Sequence, residues 1–88
     1  MAYRIKYADV VIREHIPKLA TSARKLIQKA IEERLTTAPQ QFGKPMQYSY
    51  TGHRRLRVLD YRVIYRIDAS AHEVLIVAIG HCRDVYDE

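Results

Sequence analysis

The chain has 88 residues, too few for two domains and enough for one small core. Its composition, 48% hydrophobic and 28% charged, is that of a soluble globular protein, and no apolar run approaches the roughly 20 residues that span a bilayer. Fifteen Lys and Arg against ten Asp and Glu give a formal charge of +5, which favours an anionic partner: nucleic acid, an acidic protein, or both. The excess is uneven. Residues 1–66 carry 14 basic and five acidic residues, a balance of +9, and residues 67–88 carry one and five, a balance of −4. Cys82 is the only cysteine, which rules out an intramolecular disulfide and fits a reducing compartment. Met1–Lys6 has no apolar signal core, so a cytoplasmic location is expected.

Taken in order, Tyr3–Tyr7 alternates, with Tyr3, Ile5 and Tyr7 on one face, and reads as a short strand. Asp9 suits a helix N-cap, and Val10–Ile16 reads as a short helix that stops near Pro17. Thr21 or Ser22 is expected to cap a longer helix reaching Leu35. Its apolar stripe is Ala23, Leu26, Ile27, Ala30, Ile31 and Leu35. Gln40–Gly52 is a polar loop that either shapes a binding surface or simply connects.

His53–Ile67 alternates, breaks at Leu59-Asp60, and alternates again. A two-residue turn there sets Val58 opposite Tyr61, Arg57 opposite Arg62, Leu56 opposite Val63 and Arg55 opposite Ile64. One face is apolar, and Tyr61 and Tyr65 belong to it. The other face carries Arg55, Arg57, Arg62 and Arg66. Two arginines directly opposite each other cost stability, but an anion lying across the sheet is held by them. After a turn over Asp68–Glu73, Val74–Ile79 is an unbroken apolar run, suited to a strand covered on both faces. The expected fold is one α+β domain over residues 1–88, β-α-α-β-β-β, with two helices packed on a four-stranded, mainly antiparallel sheet.

The four histidines are scattered and Cys82 has no CxxC partner, so neither a metal nor another cofactor is expected. Arg, Tyr and His around one sheet face can instead cleave RNA without metal. The ribose 2′-hydroxyl attacks the adjacent phosphate, and the protein supplies a base, an acid and cations for the charge growing on phosphorus. Arginine suits the cation role through its planar fork and is a poor base. His81 or Tyr86 could act as base or acid. The plainer alternative is a solvated basic face.

Arg55-Leu56-Arg57-Val58, Asp60-Tyr61-Arg62-Val63-Ile64-Tyr65 and Ile79-Gly80-His81 followed by Val85-Tyr86 resemble the RelE/ParE superfamily of toxin–antitoxin toxins, the RelE branch in particular. The resemblance implies a microbial-ribonuclease-like fold and a toxin that enters the ribosomal A site and cleaves mRNA. It implies a cognate antitoxin as partner, operator DNA bound only as the toxin–antitoxin complex, and no membrane association. Arg55 and Arg57 match the basic pair of the second family strand, and Arg62 the phosphate-holding arginine of the third. His81 matches a position serving as acid or base in several branches, and Tyr86 the tyrosine that orients or activates the 2′-hydroxyl. Lys44, Arg54, Arg66 and Arg83 would add cations along the RNA. Many relatives carry arginine directly after the histidine, where this chain has Cys82 with Arg83 next. A ParE-like inhibitor of DNA gyrase and a catalytically inactive relative are the alternatives.

Overall fold

A computed structural model describes residues 2–46 and 51–81. Among these residues five strands form one mixed sheet in the order β1-β5-β4-β3-β2. The strands are β1 (Arg4–Tyr7), β2 (Lys44–Pro45), β3 (Arg54–Val58), β4 (Tyr61–Asp68) and β5 (Glu73–His81). β1 runs parallel to β5, and every other pairing is antiparallel. The α+β class holds, with one strand more than the four expected. The addition is β2, two residues long, inside the stretch read as loop. Its Pro45 has no N–H to donate, which confines it to a sheet edge, and β2 is an edge.

The helices cover one face of the sheet. The first, α1 (Val11–His15), is a wide turn that tightens into a 3₁₀ turn over Ile16–Lys18. Pro17 therefore does not end the helical path. It sits in the first turn of a new helical segment, where a missing N–H costs nothing. Asp9 caps nothing. Its carboxylate instead meets Arg13 at 2.6 Å on the exposed surface. The second helix, α2 (Thr21–Ala30), continues as a wider turn over Ile31–Leu35. Its N-cap is Ala20, without a side-chain cap, rather than Thr21 or Ser22. Ala23, Ile27, Ala30, Ile31 and Leu35 are buried as expected, whereas Leu26 lies off the stripe and is 47% exposed. No helix among the described residues is long and apolar enough to cross a membrane.

The β3–β4 hairpin has the anticipated register, Arg57 opposite Arg62 and Leu56 opposite Val63. Leu59 turns the chain at φ 55°, a left-handed conformation unusual for leucine. Leu56, Val58, Val63, Tyr65, Val74, Ile76 and Ile79 form the sheet side of the core. Their spacing on β5 is irregular for a reason. Ile64 pairs with Ala78 but Tyr65 pairs with Ile76, so Val77 is an extra residue, a β-bulge. The apolar run of β5 thus marks the bulge rather than full cover on both faces, since Leu75, Val77 and Ala78 are only half-buried. Past the end of β1, the Ile79 N–H is met by His15, whose Nδ1 accepts its hydrogen bond at 3.2 Å.

Candidate nucleic-acid interface

Strand parity and register place Arg55, Arg57 and Arg62 on the sheet face opposite the helices, with Lys44 beside Arg55 across the β2–β3 pairing. These four cations line an open cleft of about 450 Å³, whose other wall is the loop segment at Gln41, Phe42 and Gly43. Among the described residues that line it there is no carboxylate. Asp60 lies at the rim, 3.7 Å from the Arg57 guanidinium, and Arg57 Nε donates to the Leu59 carbonyl at 2.8 Å. The Arg57 head is thereby anchored toward the hairpin turn. Four like charges around one cleft repel one another, and a bound anion relieves that cost.

The loop wall is held from the helix side of the sheet. Tyr65 is fully buried, and its hydroxyl donates to the Pro39 carbonyl at 2.8 Å or to the Phe42 carbonyl. Arg54 donates to the Gln40 and Gly43 carbonyls at 2.8 and 3.1 Å. The loop carbonyls therefore turn inward onto a guanidinium and a hydroxyl. Burial raises the Tyr65 pKa above the ordinary tyrosine value, an effect Arg54 partly offsets, so the hydroxyl remains a donor. Gly43 adopts φ +75°, and a Cβ there would stand 2.6 Å from both the Arg55 carbonyl oxygen and the Tyr65 hydroxyl. Arg54, expected among the RNA-facing cations, thus spends its guanidinium on the loop carbonyls. Arg66 shares the arginine face but lies four residues along β4 from Arg62, about 13 Å at strand rise, and does not line the cleft.

Residues 3–86 match the family model described as the ParE toxin of the type II toxin–antitoxin system parDE. The chain belongs to the RelE/ParE superfamily of type II toxins. Its fold is similar to that of the toxin–antitoxin complex RelBE2 from Mycobacterium tuberculosis, with a TM-score of 0.85 at 25% identity over 92% of each chain. It is also similar to isolated RelE from E. coli (TM-score 0.75, 17% identity, 91% of this chain and 84% of that one). The chromosomal ParDE system of P. aeruginosa shares the fold as well, at TM-score 0.63 and 18% identity over 90% and 95%. Among curated protein sequences, none matches the chain.

The toxin brings together four of the residues singled out in its sequence, Lys44, Arg55, Arg57 and Arg62, and separates one. His81 pairs with Tyr61, on the helix side of the sheet, and its ring meets the Tyr61 ring edge-on at 5.6 Å. The residue on the arginine face is Gly80, opposite Arg62. The bulge is the cause. Counted by twos from Val74, residue 81 would share the arginine face, and the extra Val77 reverses that parity. Tyr86, Arg83 and Cys82 lie outside the described residues. Phe42 and Gln41 line the cleft without having been singled out, and the only signal for them was the polar loop beside a basic hairpin.

Proposed function

We propose that this toxin is an mRNA endoribonuclease acting in the ribosomal A site, where the cleft holds the scissile phosphate. The observation that carries this reading is the convergence of Lys44, Arg55, Arg57 and Arg62 on one cleft. Guanidinium forks bind two phosphate oxygens at once, and their charge stabilises the phosphorane-like transition state more than the substrate. Arginine is a poor base, so the role of taking a proton from the 2′-hydroxyl is proposed for Tyr86 on the family resemblance. His81, on the other face, is given no part in it. A cognate antitoxin is the proposed partner, because the M. tuberculosis and P. aeruginosa relatives are toxin–antitoxin systems. Action on translating ribosomes would place the toxin in the cytoplasm.

The test is incubation of the purified protein with programmed ribosomes, with cleavage mapped by primer extension. A-site cleavage is expected, and Arg62→Ala should reduce its rate by about 100-fold or more while the circular dichroism spectrum is unchanged. A second reading, gyrase poisoning by binding alone, is favoured by two observations. The family model is that of a ParE toxin, and the described lining residues offer only lysine and arginine as titratable groups. Loss of gyrase supercoiling activity with mRNA left intact would select it. Absence of any growth phenotype on induction would select an inactive relative.

A further inference from the structure

We infer that Phe42 is a stacking platform for an unpaired nucleobase beside the phosphate cleft. The inference rests on the nucleic-acid reading above and adds a residue and a substrate feature to it. Phe42 is the only phenylalanine of the chain. It is 39% exposed, whereas Pro39 and Met46 of the same segment are buried. Its exposed part borders the cleft lined by Lys44, Arg55, Arg57 and Arg62.

The backbone of Phe42 is fixed on both sides. Its N–H donates to the Ala38 carbonyl at 3.2 Å, and its carbonyl accepts from the buried Tyr65 hydroxyl. Arg54 holds the carbonyls of Gln40 and Gly43 around it. A ring on so constrained a backbone loses little freedom when a base stacks on it. The Arg34 guanidinium lies 5.9 Å from the ring centroid, a cation–π contact from outside the cleft lining. A duplex keeps its bases stacked on each other and offers none to an aromatic side chain. The ligand is therefore a single strand, its phosphate on the arginines and the neighbouring base on Phe42.

The experiment is fluorescence anisotropy of the full chain with a short, labelled 2′-O-methyl RNA, which cannot be cleaved, and with the same backbone made abasic. Phe42→Leu is expected to weaken binding of the base-bearing strand about 10-fold and to leave the abasic strand unaffected. Phe42→Trp should bind the base-bearing strand as well as the unaltered protein or better. The salt dependence of Phe42→Leu should match that of the unaltered protein, because no cation is lost. Equal affinity of Phe42→Leu and the unaltered protein for the base-bearing strand, or equal loss on both strands, overturns the stacking role. If the unaltered protein binds neither strand, or if Arg62→Ala leaves its salt dependence unchanged, the phosphate cleft itself fails and stacking fails with it.

Discussion

Gly43 shows how closely the cleft wall is fitted to the strand behind it. Its left-handed φ would strain any other residue by about 1–2 kcal/mol, and a Cβ would meet the backbone oxygen of Arg55, which cannot swing away. Gly43→Ala is expected to cost about 2–4 kcal/mol in urea denaturation. Gly52→Ala, at φ +91° with nothing within 4 Å, should cost only the strain, about 1–2 kcal/mol. Tyr65→Phe keeps the ring that fills the core but strands the Pro39 and Phe42 carbonyls, so a loss of about 1–3 kcal/mol is expected by the same measurement. Asp68 gives a pH signature. Its carboxylate accepts from the Ser70 hydroxyl at 2.8 Å and from the Ala71 N–H at 3.1 Å, and these bonds hold its pKa below the ordinary aspartate value. A carboxyl with a depressed folded-state pKa stabilises the fold above its unfolded-state pKa. That contribution disappears as pH falls through the folded value. The melting temperature of the unaltered protein should therefore exceed that of Asp68→Ala at neutral pH, and the gap should narrow below about pH 4.

At the scale of elements, the β3–β4 hairpin was legible because everything that fixes it is local. Period-two alternation sets the faces, and a two-residue turn sets the register, so Arg57 opposite Arg62 followed directly. The turn itself is the weak link, since Leu59 holds a positive φ. Leu59→Gly is expected to raise stability by up to about 1 kcal/mol, read as a higher urea midpoint at unchanged slope. Nothing local announces β2. Two residues have no periodicity, and the loop before them is placed by Tyr65 and Arg54, 26 and 14 residues along the chain from the carbonyls they hold. The bulge at Val77 was equally hidden, because an unbroken apolar run looks the same with or without an extra residue. That single residue also decided the site. It turned His81 to the Tyr61 side and left Gly80 facing Arg62, so the arginine part of the site was readable from sequence and its β5 edge was not.

Over the whole molecule, the basic excess is focused rather than spread. Arg4 and Lys6 stand at the β1 edge of the arginine face, and Glu73 meets them at 2.9 and 3.1 Å. At the hairpin end, Lys44, Arg55, Arg57 and Arg62 line one cleft, and Asp60 stands at its rim, 3.7 Å from the Arg57 guanidinium. Four cations gathered on one cleft should steer an approaching nucleic acid there. Salt measures how many phosphates such a site neutralises. Each cation that displaces a counterion from a single strand contributes about −0.7 to the slope of log affinity against log salt. Four contributing cations predict a slope near −2.8, or about a 50-fold loss of affinity between about 50 and 200 mM salt. Arg55→Ala should make the slope shallower by about 0.7, whereas Arg4→Ala, whose charge is already partnered by Glu73, should change it by much less. The measurement is a titration of short 2′-O-methyl RNA at several salt concentrations. A slope shallower than about −1, or equal effects of Arg4→Ala and Arg55→Ala, would mean that the strand does not lie in the cleft.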